Sequence, residues 1–148
     1  MTEHRRVSPE EAQKLLSEGY IYVDVRTVPE FERGHVPGAL NVPLMNAEPG
    51  GMRENPDFLS VMERAFDKHE KLLLGCKSGN RSLRAAQMLT RAGFDCVTEL
   101  LTGWEGSRDA FGRPQPGWSK QGLPVETGNP EAQSYEGVQR RGAARSTS

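Results

Sequence analysis

Cysteine is scarce in this chain: Cys76 and Cys96 are its only two among 148 residues. Two thiols cannot build a disulfide framework, and such sparing use fits a compartment where thiols stay reduced, leaving either one free to act as a nucleophile. Long apolar runs are missing too. None approaches the roughly 20 residues needed to cross a bilayer, and the opening MTEHRRVSPEE lacks the apolar stretch of a secretory leader, so the expectation is no membrane and a cytoplasmic location. Neither sign of charge predominates. Nineteen basic and 20 acidic side chains leave a formal net charge of −1, with no Lys/Arg block able to track a phosphate backbone, which sets nucleic acid aside as a partner. No internal repeat occurs at solenoid spacing.

What is there fits one domain with a real core. Ser8-Pro9-Glu10-Glu11 places a hydroxyl at N-cap, Pro at N1 and Glu at N3, so a short helix should run to about Glu18 and stop at Gly19. Tyr20 to Val25 is rich in β-branched and aromatic residues and too short for a globular helix, which predicts a largely buried strand. Thr27-Val28-Pro29-Glu30 repeats the cap pattern and opens one turn of helix. Ala39 to Val42 is another brief strand, ended by Pro43. After the Gly/Pro loop AEPGGMREN, a helix should begin at Asn55-Pro56-Asp57, with Phe58, Met62, Ala65 and Phe66 on one face.

Leu72 to Cys76 reads as a buried strand, Ser82 to Ala92 as a helix with Ala85, Met88, Leu89 and Ala92 on one face, and Cys96 to Leu101 as a strand. Short buried strands alternating with helices imply right-handed crossovers, hence an α/β domain with a mostly parallel central sheet and helices on both faces. From Thr102 to Glu126 the pattern thins to an ordered loop and a short terminal helix, with Trp104, Phe111 and Trp118 as expected anchors. The domain is therefore placed at residues 7–126. Residues 127–148 are polar, with Tyr135 and Val138 their only sizeable apolar side chains, and are expected to stay disordered because they bury too little to offset ordering entropy.

The stretch CKSGNRS, from Cys76 to Ser82, joins a strand to a helix at the carboxyl edge of the sheet, where parallel α/β proteins place their sites. A tight turn there aims consecutive N–H groups inward as an anion nest, reinforced by the helix dipole. Such a nest favours a thiolate over a thiol, and Lys77 and Arg81 add positive charge. Gly79 tolerates φ > 0, and Ser82 is placed to cap the following helix. Cys96, inside an apolar strand with no charged loop after it, reads as core, with a resolving thiol as its alternative role.

The ordered pieces YVDVRTVPEFERGHVPGALNVPL, LLLGCKSGNRS, AGF and SKQGLPV resemble the single-domain rhodanese sulfurtransferases, over about Val7 to Val125. The resemblance implies that Cys76 takes sulfane sulfur from a small anionic donor such as thiosulfate, becomes a persulfide, and passes the sulfur to cyanide or to a thiol acceptor such as a thioredoxin-like or sulfur-carrier protein. Covalent catalysis of this kind splits one transfer into two simpler displacements. The loop amides from Lys77 to Ser82, with Ser78, Gly79, Asn80 and Arg81 between them, would hold the persulfide, and Lys77 would attract the sulfonate end of the donor. No metal or organic cofactor is required.

Loop length separates this reading from the related cysteine-dependent phosphatases and arsenate reductases, whose pattern is Cys, five residues, Arg; here four residues lie between Cys76 and Arg81. A catalytically silent binding module is the other alternative, against which the retained cysteine argues. Asp24 and Arg26 are expected to form a buried ion pair, with Arg26 facing the donor anion as its other role. Glu30 and His35 read as turn and network residues, and displacement by a thiolate needs no general base from His35. Arg81 either faces substrate or braces the loop through an acidic partner. GWEGSRDAFGRPQPGW is longer than the compact family's link and should border the site.

Overall fold

The computed structural model describes residues 4–146. In chain order it contains β1 (Arg5–Val7), α1 (Pro9–Ser17), β2 (Ile21–Asp24), α2 (Val28–Arg33), β3 (Leu40–Asn41), β4 (Met45–Glu48) and β5 (Gly51–Glu54). There follow α3 (Phe58–Ala65), β6 (Leu72–Gly75), α4 (Asn80–Arg91), β7 (Val97–Leu100), β8 (Gly106–Arg108), β9 (Pro114–Pro116), a 3₁₀ turn at Trp118–Lys120, and α5 (Tyr135–Ser146).

The central sheet runs β1-β7-β6-β2-β3 with every neighbouring pair parallel, so all its carboxyl ends share one edge. Side-chain alternation along the strands divides the core in two. Leu72, Leu74 and Cys76 join Val23 and Val25 under α3, α4 and Val138 of α5. Leu73 faces the other way, with Tyr22 and Leu100, under Ala12 and Leu15 of α1, Phe31 of α2 and Trp118. This is the expected α/β domain with helices on both faces. Local chemistry sets the starts of its early helices: Ser8 with Glu11, and Thr27 with Glu30, form reciprocal capping boxes.

Several expectations are corrected. The AEPGGMREN loop lies within an antiparallel hairpin, in which Met45 pairs Glu54 and Glu48 pairs Gly51. The segment after β7 folds back as a second hairpin, β8 with β9, whose tip exposes Phe111 to 82%, so Phe111 anchors nothing on the sheet. The two tryptophans do pack inward: Trp118 is buried and Trp104 lies against Arg26.

The polar segment from residue 127 onward is ordered through residue 146 and carries α5 on α3. Its few apolar groups are supplemented by polar ties. Val138 is fully buried, the Tyr135 hydroxyl accepts from Asn55 Nδ2 at 3.0 Å, and Gln133 donates to Ala39 O at 3.0 Å. Gly142 lets the helices approach closely, since a Cβ there would lie 3.0 Å from that of Arg64.

Candidate active site

Strand β6 ends at Gly75, and the chain turns at Cys76 to enter α4. The Cys76 thiol is buried, 2% exposed, and lies inside the loop. Its Sγ accepts from Gly79 N at 3.1 Å and from Ser82 N at 3.3 Å, and lies 3.4 Å from Ser82 Oγ. Helix α4 starts at Asn80, two residues earlier than expected, and has no side-chain cap. The sulfur takes the acceptor position that a cap hydroxyl would fill, leaving Ser82 inside the first turn rather than at N-cap. Ser82 Oγ instead donates to Glu99 Oε1 at 2.7 Å.

Gly79 makes this loop possible. Its φ is +97°, and a Cβ there would meet the Leu101 carbonyl oxygen at 2.4 Å. The segment after β7 holds the loop from behind: Trp104 N donates to Cys76 O at 2.8 Å and Glu105 N to Lys77 O at 3.0 Å. Gly103 permits that approach, because its Cβ would fall 2.5 Å from Lys77 O.

The remaining loop side chains diverge. Lys77 is half-exposed, its Nζ 3.8 Å from Glu105 Oε2. Ser78 and Asn80 line an open groove of about 700 Å³ together with Arg108, Gln115 and Lys120. Arg81 turns to Glu30 and makes a two-pronged ion pair at 2.7 and 3.0 Å, the bracing arrangement of the two considered for it. Burial alone would push the Glu30 carboxyl up, but hydrogen bonds from Arg81 and Thr27 outweigh it and hold the group at about 2.

Arg26 does not face the loop's sulfur as a donor-binding group. Its guanidinium grips Asp24 at 2.7 and 3.0 Å, donates to Gly34 O at 2.6 Å and lies over the Trp104 ring. The buried ion pair with Asp24 expected from the sequence is present, and because the Arg26 side chain is only 4% exposed, the substrate-binding role is corrected: a group so enclosed has little face to offer an anion. His35 is fully buried between Phe31 O and Glu126 Oε1, a network position. Cys96 is partly exposed near the Tyr20 hydroxyl rather than in the core. It also precedes β7, whereas Cys76 follows β6, so the two thiols lie at opposite edges of a parallel sheet and Cys96 cannot resolve a Cys76 persulfide within the chain.

Two residues near the loop escaped the reading from sequence. Tyr22 places its hydroxyl beside Gly75, where a Cβ would be 1.7 Å from Oη. Burial, then the Asp24 charge, push this phenol well above its usual range, so it stays protonated. Glu99 is fully buried and receives Arg6 Nε at 2.8 Å and His4 Nε2 at 2.8 Å besides Ser82. A carboxylate at the centre of a short apolar strand was the available signal, since ionised groups are buried only where partners converge.

A parallel α/β sheet bearing a buried cysteine in an amide-lined loop at its carboxyl edge defines a class of cysteine-loop domains. The rhodanese-like domain family matches residues 8–110, and the chain belongs to it. It is 40% identical over 120 residues to "Thiosulfate sulfurtransferase 16, chloroplastic" of Arabidopsis thaliana, covering 81% of this chain and 91% of that protein. It is also 40% identical over 115 residues to the senescence-associated protein DIN1 of Raphanus sativus, covering 78% of this chain and 57% of that longer protein. The crystal structure of Rv0390 from M. tuberculosis superposes with a TM-score of 0.70 at 29% identity, over 86% of this chain and 100% of that one.

Proposed function

We propose that this protein moves sulfane sulfur from thiosulfate or a similar small anionic donor to a thiol or cyanide acceptor through a persulfide on Cys76. The observation that carries this reading is the convergence of the Gly79 and Ser82 N–H groups on Cys76 Sγ, inside a loop with four residues between Cys76 and Arg81. Backbone donors held rigidly by a helix start stabilise a sulfur anion without reorganising. The short ring suits one sulfur atom better than a tetrahedral oxyanion. Similarity to a protein named thiosulfate sulfurtransferase supports a rhodanese-type sulfurtransferase activity.

In the first half-reaction the Cys76 thiolate attacks the outer sulfur of thiosulfate; the new S–S bond forms as the bond to the sulfonate sulfur breaks, and sulfite leaves with the electron pair. In the second, an acceptor thiolate or cyanide attacks the terminal persulfide sulfur, and Cys76 leaves as thiolate. Lys77, half-exposed at the loop's rim, is a cation placed to attract the donor's sulfonate. The β8–β9 hairpin restricts the acceptor, a reading supported by the groove it forms with Ser78 and Asn80. A thioredoxin-like or sulfur-carrier protein is the macromolecular acceptor proposed.

Intact mass after incubation with thiosulfate tests the chemistry. The expected result is a gain of one sulfur that is absent in Cys76→Ser. Absence of any adduct, together with hydrolysis of an aryl phosphate, would replace this reading with phosphatase chemistry. Neither activity, with specific capture of a partner protein, would replace it with a binding module.

A further inference from the structure

Most cations around the Cys76 loop already have carboxylate partners. Arg6 is held by Glu99, Lys77 lies near Glu105, Arg81 is gripped by Glu30 and Arg113 pairs with Asp109. Arg108 of β8 and Lys120 of the 3₁₀ turn differ. Neither forms an ion pair among the described residues: Arg108 Nη1 reaches the Gly112 carbonyl at 2.8 Å, and Lys120 has no side-chain hydrogen bond. Both are exposed, and both line the open groove of about 700 Å³ that begins at Ser78 and Asn80.

The other charged residue lining this groove is Glu105, which Lys77 offsets at 3.8 Å, so the groove is locally positive although the whole chain carries a net charge of −1. A local excess of that sign draws anions. Ser78 and Asn80 flank Gly79, whose N–H donates to Cys76 Sγ at 3.1 Å, so the groove adjoins the loop that encloses the sulfur. Its volume lies in the range that holds small organic ligands. Thiosulfate or cyanide would fill only a small part of it. The space suits the remaining reactant, a thiol acceptor with a body around its sulfur, and the two unpaired cations suit a body that bears carboxylates.

We propose that Arg108 and Lys120 determine acceptor specificity: they bind the carboxylates of a small thiol seated in this groove and so favour it over neutral thiols. A small acceptor is favoured over a folded protein because Cys76 is only 2% exposed, and a short peptide thiol fits the groove whole while presenting its sulfur to the loop. Both cations are exposed, so solvent and salt screen each contact. The resulting preference is several-fold and shrinks as ionic strength rises. This inference rests on the sulfurtransferase reading and deepens it by naming the chemistry of the acceptor.

The test titrates the full chain with S-methylglutathione, an unreactive peptide thioether with free carboxylates, and with its diethyl ester, which keeps the peptide body and loses those charges. Amide shifts in NMR spectra report binding. The expected result is saturable shifts at Ser78 and Asn80 with the acid and binding weaker by roughly three-fold or more for the ester. That difference should vanish when Arg108→Gln and Lys120→Gln are combined, and narrow at high salt. With the persulfide-loaded chain, sulfur transfer to glutathione relative to its diethyl ester should fall by a similar factor in the double variant. Equal binding of acid and ester, no binding of either, or a preference that survives the double substitution overturns the proposal. Transfer to a thioredoxin-like protein with neither probe bound overturns it in favour of a protein acceptor. The binding measurement needs no persulfide, and persulfide formation on Cys76 is read separately by intact mass, so each reading can fail without the other.

Discussion

At Gly75 the missing side chain is a packing requirement. The Tyr22 hydroxyl occupies the space a Cβ would need, 1.7 Å from it, and the tyrosine is buried on the far face of the sheet with little freedom to move. Gly75→Ala should therefore act as overpacking and lower stability by about 1–3 kcal/mol. In a Tyr22→Leu background, where the ring and hydroxyl are gone, the same substitution should be markedly less harmful. Urea denaturation of the four proteins measures the coupling, and an equal loss in both backgrounds would refute the account. Cys76 was legible because its signal is local: apolar strand, thiol, glycine and helix follow one another within a few residues. Glu99 and Tyr22 were not, since their meaning depends on atoms far away in sequence, such as the Arg6 guanidinium against Glu99.

Among the elements, the β8–β9 hairpin is the one to which the proposed function gives a part in acceptor choice. Its ends are close, with Gly106 paired to Pro116 and Gly117 N donating to Glu105 O at 3.3 Å, so Ser107 to Pro116 can be removed and the chain rejoined across a short gap. The loop around Cys76 rests on Gly103, Trp104 and Glu105, which the deletion spares. Persulfide formation from thiosulfate should then persist, while turnover with a bulky thiol relative to cyanide should change several-fold. An unchanged ratio would show that the hairpin plays no part in acceptor choice. Turn-rich composition had marked this segment only as a loop, because the register that pairs Ser107 with Gln115 arises from the two strands meeting, not from a local propensity. Helix α5 escaped notice for a related reason: its stability comes from α3, the Arg141–Phe66 stack and the Asn55–Tyr135 hydrogen bond, none of which its own polar sequence displays.

For the whole molecule, the short loop is fastened from separate parts of the fold. Arg6 of β1 donates to Gly79 O at 3.1 Å, Glu99 of β7 takes the Ser82 hydroxyl, and Glu30 of α2 holds Arg81. The last tie makes stability depend on pH in a defined window. Glu30 is held at about 2 in the folded protein against an ordinary 4.5. A depressed carboxyl stabilises the fold fully above its unfolded value, and that stabilisation disappears as pH falls from about 4.5 towards about 2. The contribution is on the order of 2–3 kcal/mol at neutral pH, since the carboxylate is largely enclosed and loses it only on protonation. Glu30→Gln removes the titrating group while keeping the side chain's size, so the stability gap between wild type and variant should be widest at neutral pH and narrow through the acid window. Denaturant midpoints collected across that range supply the measurement, and a gap independent of pH would mean that the Glu30 charge does not secure the loop. Because Arg81 lies in the turn that enters α4, the same variant should slow persulfide formation at neutral pH, joining the acid stability of the fold to the order of the loop that holds Cys76.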